Sequence, residues 1–149
     1  MSAPIITLTT DFGVSDGYVA TIKGVIFDIC PDARIIDVSH DILPQNVEQA
    51  AFVLNNTARY FPANSVHVAV VDPGVGTDRK PILLDTPTGS FIGPDNGIFS
   101  YVLKRLSDDD TSGTTPASCQ AYLLDKQKYW LCPVSGTFHG RDIFAPVAA

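Results

Sequence analysis

The chain has 149 residues, of which 45% are hydrophobic and 17% charged, and its formal net charge is −6. This length and composition are typical of one globular domain with a sizeable core and exclude a disordered chain. The negative charge argues against a nucleic-acid surface, which needs clustered Lys and Arg, and no apolar run approaches the roughly 18 residues of a membrane span.

The first half of the chain alternates strands with helices. The β-branched run "PIITLTT" (residues 4–10) predicts a strand, and "GYVATIKGVIFDIC" (17–30) predicts a helix capped by Ser15 or Asp16. A strand "RIIDVSH" (34–40), a helix "PQNVEQAAFVLNNTARYF" (44–61) and a strand "SVHVAVVD" (65–72) follow. This order predicts a three-layer α/β domain with a largely parallel central sheet flanked by helices.

The second half contains shorter predicted elements. "PILLDT" (81–86) and "SFIG" (90–93) predict strands around a turn, "DNGIFSYVLKRL" (95–106) a helix, and "SDDDTSGTTPAS" (107–118) an exposed loop. "QAYLLD" (120–125) and "YWLCPV" (129–134) are candidate strands. "GRDIFAPVAA" (140–149) begins a helix that stops without a Gly cap or a polar tail, so we expect that a longer protein has been cut here.

Polar residues follow each of the three predicted parallel strands. Asp11 follows the first, Ser39 and His40 end the second, and Asp72 ends the third. Because ligands bind outside the carboxyl ends of parallel strands, we expect these residues on one rim of the sheet. The "PGVG" turn after Asp72 allows backbone to approach a ligand closely, and Arg79 beyond it can fold back onto Asp72. This motif alone favours a structural ion pair and a catalytic pair equally.

The histidines and cysteines add weaker signals. His139 lies in the glycine-bordered loop "SGTFHGRD", a setting more typical of function than that of His67, which lies within a predicted strand. Neither an HxxxH-type metal motif, nor a P-loop ending, nor a GxSxG elbow occurs. Three widely spaced cysteines without a CxxC motif, and an N-terminus without signal-peptide character, predict a cytoplasmic protein with reduced thiols.

Five motifs in order identify a family resemblance across essentially the whole chain. They are "TTDFGVSDGYV", "ICPDARIIDVSH", "VAVVDPGVGTDRK", "IGPDNG" and "TFHGRDIFAPVAA". With them the chain resembles the S-adenosyl-L-methionine hydroxide adenosyltransferases, relatives of the fluorinase and chlorinase. The resemblance implies that residues 1–149 are the family's N-terminal α/β catalytic domain without its C-terminal β-barrel domain. It also implies a homotrimer of the full-length protein, with each site between one subunit's N-terminal domain and a neighbour's C-terminal domain.

The resemblance also implies an activity and roles for particular residues. The activity is hydrolysis of S-adenosyl-L-methionine (SAM) to adenosine and L-methionine by an activated water or hydroxide that attacks C5′, with no cofactor and no metal. The residues that orient and activate the water match Asp72, Arg79 and His139. The ribose-binding aspartate matches Asp11, and the other substrate-binding positions are Asp16, Tyr18 and Asn96.

Competing functions remain open at this stage. The fluorinase has Tyr where this chain has Asp72, and Ser where it has Gly140, which favours water over halide as the nucleophile. A non-catalytic module that binds adenosine or SAM is one alternative. A metal-dependent hydrolase with Asp11, Asp72 and His139 as ligands is the other.

Overall fold

The computed structural model describes residues 3–109 and 118–149 of the chain. Within these ranges the strands are β1 (Ile5–Thr10), β2 (Arg34–Ser39), β3 (Val66–Val70), β4 (Pro81–Thr86), β5 (Gly89–Pro94) and β6 (Gln120–Leu123). The α-helices there are α1 (Tyr18–Ile29), α2 (Val47–Ala58), α3 (Ser100–Asp109) and α4 (Ala145–Ala148). A 3₁₀ turn (Gln127–Tyr129) follows β6, and a π-helical turn (Gly140–Phe144) leads into α4.

The strands form one mixed sheet in the order β2-β1-β3-β5-β4-β6. β2, β1, β3 and β5 are parallel, whereas β4 is antiparallel to both β5 and β6. The predicted parallel pairing of the first half is therefore confirmed. Thr10 of β1 pairs with Val70 of β3, so the carboxyl ends of these two strands lie side by side. Asp11 follows β1 directly, and Asp72 follows β3 after Val71.

Two apolar cores hold the sheet between its helices, which gives the expected three layers. Alternation along β3 sends Val68 and Val70 into one core, with side chains from α1, the π-helical turn and α4. Ala69 and Val71 point to the opposite core, with side chains from α2 and α3. Full burial of an Ile, Leu or Phe side chain contributes roughly 1.5–3 kcal/mol to the free energy of folding. Because such side chains pack on both faces of the sheet, both cores stabilise the strand ends.

His67 is a core residue of β3, as its strand position predicted. It is 1% exposed, its Nδ1 lies 2.8 Å from the hydroxyl of Thr7, and its ring stacks on Phe91 at 4.9 Å between centroids. Burial lowers the pKa of His67 to about 4. The side chain is therefore neutral near pH 7 and stabilises the core by packing.

The predicted cap of the first helix and the predicted start of the third helix are wrong. Neither Ser15 nor Asp16 caps α1, because Gly17 occupies the cap position and has no side chain to accept a hydrogen bond. The third helix begins at Ser100 rather than at residue 95. Gly97 has a φ of 95°, a left-handed conformation that ends β5 in a turn before the helix can start.

The predicted strand at residues 129–134 is also wrong. Its backbone turns towards the C-terminal helix, where the Leu131 amide donates to the carbonyl of Asp142 at 2.8 Å. Trp130 and Val134 pack on the core beneath α1 and α4. Of the predicted loop at 107–118, the first three residues close α3, and residues 110–117 lie outside the described ranges. Within those ranges every helix is too short or too polar to cross a bilayer.

Candidate functional site

A cleft of about 150 Å³ opens at the carboxyl ends of β1 and β3. It is lined by Asp11, Phe12, Gln45, Val70, Asp72, Val75, Thr137, Phe138, His139 and Gly140. The parallel register of β1 and β3 delivers the two aspartates, and the loop before the π-helical turn delivers His139. The prediction that Asp11, Asp72 and His139 share one cleft is confirmed.

A larger cavity lies elsewhere on the domain. Its volume is about 710 Å³, and it runs between α1 and the segment around Trp130, with largely apolar walls that include Val25, Ile29 and Leu131. None of the predicted site residues lines it. We place the functional site in the smaller cleft, because that cleft gathers the charged groups and the strand ends where ligands bind in open parallel sheets.

Arg79 folds back onto Asp72, as the spacing of the loop predicted. Its Nε donates to both carboxylate oxygens of Asp72 at 2.9 Å, and its Nη2 donates to Oδ2 as well. The Asp72 side chain is only 6% exposed and the Arg79 side chain 9%, so the pair is largely removed from solvent. Charges held this far from water need both pairing and hydrogen bonds, and the fork of the guanidinium provides both.

His139 joins this pair through the same guanidinium. Arg79 Nη2 lies 2.8 Å from His139 Nδ1, and His139 Nε2 lies 2.9 Å from the carbonyl oxygen of Ser135. A guanidinium can only donate and a carbonyl can only accept. These partners assign the proton of His139 to Nε2 and leave the Nδ1 lone pair facing Arg79. Both ring nitrogens of His139 are thus engaged within the protein.

The loops that carry Arg79 and His139 touch backbone to backbone. Gly76 has a φ of 78°, and a Cβ built on it would lie 2.3 Å from the carbonyl oxygen of Gly136. Only a glycine permits both this conformation and this approach. The second glycine of "PGVG" therefore sets the distance between the two loops.

Asp11 is held by a loop that the sequence did not indicate. Its Oδ2 accepts the backbone amide of Gln45 at 2.8 Å, and Gln45 has a φ of 64°, which is uncommon outside glycine. Gln45 also lines the cleft. Asp11 Oδ1 has no donor among the described residues, so that oxygen remains available to a ligand.

His40 follows the last residue of β2, but its side chain is buried beside the cleft and does not line it. It is 6% exposed, its Nδ1 lies 2.8 Å from the Thr10 hydroxyl, and its Nε2 lies 2.9 Å from Asp37 Oδ1. Burial would raise the pKa of Asp37, but hydrogen bonds from Lys23 and His40 lower it overall. The His40 carbonyl accepts the amide of Gly13 at 2.7 Å and so anchors the loop after Asp11.

Asp16 and Tyr18 line a neighbouring cavity of about 430 Å³, together with Phe138 and Arg141. Phe138 is a wall of both spaces, and its ring packs edge-on against Tyr18 at 5.1 Å between centroids. These two predicted residues are therefore adjacent to the cleft that holds Asp72, with one aromatic side chain between them.

Asn96 lies apart from both spaces. Its Nδ2 donates to the carbonyl of Val71 at 2.9 Å, and its Oδ1 accepts the amide of Ile98 at 3.2 Å. The side chain thereby ties the turn after β5 to the end of β3, and it lines neither cavity. Its contact with a substrate stays a prediction.

The sequence patterns did not indicate a buried carboxylate that lies behind the cleft. Asp142 is fully buried, with Oδ2 accepting the Ser135 amide at 2.7 Å and Oδ1 accepting Arg141 Nε at 2.6 Å. Burial would raise its pKa, but the hydrogen bonds from Arg141 and Ser135 lower it overall. The available signal was an ionisable residue beside the apolar run "IFAPV", where an unpaired charge is costly.

Most of the possible metal-ligating atoms of the cleft are already engaged within the protein. Among residues 3–109 and 118–149, no three His, Cys, Asp or Glu side chains converge as a metal site requires. Both oxygens of Asp72 accept from Arg79, and neither nitrogen of His139 has a free lone pair. A metal ion that bound His139 at Nδ1 would have to displace Arg79 from that nitrogen.

Comparison with known proteins gives consistent matches. Residues 6–149 match the family described as SAM hydroxide adenosyltransferase N-terminal domain. The chain is 45% identical, over 97% of its length, to an (R)-S-adenosyl-L-methionine hydrolase of Methanocaldococcus jannaschii, and 36% identical, over 95%, to a fluorinase of an Actinoplanes species. The crystal structure of an uncharacterized conserved protein from Thermotoga maritima superposes with a TM-score of 0.86, at 38% identity over 96% of this chain.

The chain spans about half the length of these relatives. It covers 52% of the M. jannaschii hydrolase, 52% of the Actinoplanes fluorinase and 52% of the T. maritima protein. The similarity therefore concerns one half of each longer protein, and that half includes the cleft described above.

Proposed function

Because this chain belongs to the family of SAM hydroxide adenosyltransferase N-terminal domains, we propose that its cleft hydrolyses SAM to adenosine and L-methionine. The observation that carries the proposal is the continuous hydrogen-bonded set of Asp72, Arg79 and His139, in which Asp72 and His139 line one cleft with Asp11. The name of the M. jannaschii relative supports the same substrate, with the R configuration at sulfur.

The proposed reaction needs a positioned water more than it needs an acid. The oxygen of water attacks C5′ of the adenosyl group, the C5′–S bond breaks, and its electron pair stays on sulfur. Methionine leaves as a neutral thioether, so the leaving group requires no protonation. Holding the nucleophile about 3–3.5 Å from the carbon and in line with the bond then accounts for much of the rate.

Asp72 is the best-placed group to accept the proton of this water. Each oxygen of a carboxylate has two acceptor sites, so the contacts with Arg79 leave capacity for a further hydrogen bond. His139 lacks that capacity, because Arg79 and Ser135 occupy both of its nitrogens. We assign Arg79 to the orientation of Asp72, and His139 to the orientation of Arg79. General-base assistance of this kind is typically worth about 10²–10⁴-fold in rate.

Asp11 suits the diol of the ribose. An ionised carboxylate accepts hydrogen bonds at both oxygens, and Gln45 occupies only Oδ2 among the described residues. Asp16 and Tyr18, in the adjoining cavity, would then contact a more distant part of the same substrate. Phe138 lines both spaces, so its aromatic ring is a candidate contact for the sulfonium, a cation that aromatic rings attract.

We propose that the complete site needs more walls than this domain provides. The cleft of about 150 Å³ is smaller than the roughly 300–1,000 Å³ typical of small-molecule sites. The relatives are about twice as long as this chain. This supports residues 1–149 as an N-terminal catalytic domain within a longer protein. We propose further, as the family resemblance implies, that a C-terminal β-barrel domain of a neighbouring subunit completes the site in a homotrimer. A cytoplasmic location and the absence of a cofactor are further parts of the proposal.

The test is incubation of the full-length protein with each SAM diastereomer in H₂¹⁸O, followed by mass spectrometry of the products. We expect adenosine that carries the label at the 5′-oxygen, unlabelled methionine, and a preference for the R form. No turnover with either diastereomer, despite measurable adenosine binding, would instead establish a binding module.

Two additions to the assay separate the remaining alternatives. Fluoride or chloride in the buffer should give no 5′-halo-5′-deoxyadenosine, and its appearance would place the protein with the halogenating relatives. Prolonged treatment with EDTA should leave turnover unchanged. Loss of turnover that returns with a divalent metal would overturn the metal-free mechanism.

A further inference from the structure

A single chain of hydrogen bonds connects the buried carboxylate of Asp142 to the cleft. Asp142 Oδ2 accepts the Ser135 amide at 2.7 Å, and the Ser135 carbonyl accepts His139 Nε2 at 2.9 Å. His139 Nδ1 in turn lies 2.8 Å from Nη2 of Arg79, which holds Asp72. Asp142 itself does not line the cleft.

Ser135 connects Asp142 to His139 and determines which nitrogen of His139 carries the proton. Its amide, its hydroxyl and its carbonyl are all engaged, since its Oγ also accepts the Phe138 amide at 2.9 Å. The residue therefore cannot rotate without breaking three hydrogen bonds. Its carbonyl is an acceptor only, which requires the proton of a neutral His139 to be on Nε2. The opposite tautomer would place an N–H of His139 against the N–H of Arg79.

The burial of Asp142 makes both of its hydrogen bonds necessary. The residue is fully buried in the π-helical turn between His139 and α4, and π-helical turns are frequent at functional sites. A buried carboxylate is tolerated only when its oxygens are hydrogen-bonded, and here each oxygen has one strong donor. An uncharged apolar residue would fill the same space but could not hold the Ser135 amide.

We propose that Asp142 is a positioning residue for the reaction: it holds Ser135 so that the Ser135 carbonyl fixes His139 as the Nε2–H tautomer. In that tautomer His139 accepts from Arg79 and keeps the guanidinium aligned on Asp72. Asp142 touches neither the substrate nor the water. The inference rests on the proposed function for its catalytic consequence, whereas the tautomer itself does not depend on any activity.

The test compares Asp142→Asn with wild type in the full-length protein. One of the two donors that face Asp142 would meet the amide N–H₂ of the asparagine, so the Ser135 loop should shift. Supporting groups of this kind are typically worth about 10–100-fold. We expect kcat for SAM hydrolysis to fall by that amount, with KM within about threefold, because the substrate contacts remain. Asp108→Asn, at an exposed position of α3, is the matched control.

A spectroscopic measurement separates positioning from general stability. The ¹⁵N resonances of the His139 ring distinguish the two neutral tautomers from the cation. Wild type should show Nε2–H near neutral pH, and Asp142→Asn should show a mixture or a charged ring. An Nδ1–H or a charged ring in wild type would overturn the proposal, even if the variant fails to fold. A folded variant with unchanged kcat and an unchanged tautomer would overturn it too.

The two proposals fail in different ways. If neither wild type nor Asp142→Asn hydrolyses SAM but the His139 tautomer differs between them as expected, the positioning chain stands and the proposed reaction is wrong. If wild type hydrolyses SAM and Asp142→Asn loses kcat without any change at His139, the reaction stands and the positioning chain is wrong.

Discussion

Replacing Gly76 with alanine tests whether the contact between the loops that carry Arg79 and His139 sets the geometry of the site. Gly76 has a φ of 78°, and an added Cβ would lie 2.3 Å from the Gly136 carbonyl oxygen. Three residues after Gly76, Arg79 reaches Asp72, and three residues after Gly136, His139 reaches Arg79. A change in the spacing of the loops should therefore act on the hydrogen-bonded set directly.

The expected size of the effect follows from these two features. A left-handed backbone conformation costs a residue with a Cβ about 1–2 kcal/mol. Carbon–oxygen contacts without a conventional hydrogen bond settle at about 3.3–3.6 Å, so the loops must separate by roughly 1 Å. A misplacement of about 1 Å in an active site can lower the rate by about 100-fold. Gly76→Ala should thus lower the free energy of unfolding by about 1 kcal/mol or more and lower kcat by about 100-fold.

The measurement pairs urea unfolding with steady-state SAM hydrolysis in the full-length protein. Gly136→Ala is the matched control, because a Cβ at Gly136 meets no atom within 4 Å and the backbone there is not left-handed. This control should stay within about 0.5 kcal/mol of wild type, as surface substitutions usually do. If Gly76→Ala and Gly136→Ala have equal stability and equal kcat, the close approach of the loops has no role in positioning the site.

Three further predictions concern individual side chains. Asp72→Asn should lower kcat by about 10²–10⁴-fold with little change in KM, as measured by adenosine formation; wild-type kcat would remove it as the proton acceptor. Asp11→Ala should mainly weaken adenosine binding, and an unchanged Kd by calorimetry would refute its ribose contact. The pKa of His67 falls to about 4 on folding, so between about pH 4 and pH 6.5 the unfolded chain binds a proton at His67 that the folded chain does not. The stability that neutral His67 contributes is therefore complete above about pH 6.5, and it is lost as the pH falls towards 4. Urea unfolding should show about 2 kcal/mol less stability from this residue at pH 5 than at pH 7.5, and a His67→Gln variant with the same pH slope as wild type would contradict the assignment.

Local patterns in the sequence were sufficient to predict the rim of the site. The β-branched runs before Asp11 and Asp72 specify strands through side-chain shape, and strand–helix–strand order specifies parallel pairing. The seven-residue return from Asp72 to Arg79 is short enough for the loop itself to bring the two charges together. These features depend on neighbours in the chain, so they can be predicted without the fold.

Only the tertiary structure revealed what holds the rim in place. The Gln45 amide on Asp11, the Gly136 carbonyl against Gly76, and the Ser135 carbonyl on His139 are all backbone groups. Every residue has such groups, so no residue type in the sequence indicates which of them will be used. The wrong strand prediction at 129–134 has the same cause, because a backbone amide of this segment donates to the carbonyl of Asp142 and not to a neighbouring strand. The residue types of this chain determined which side chains meet at the strand ends, while long-range pairing of backbone groups decided how those side chains are held.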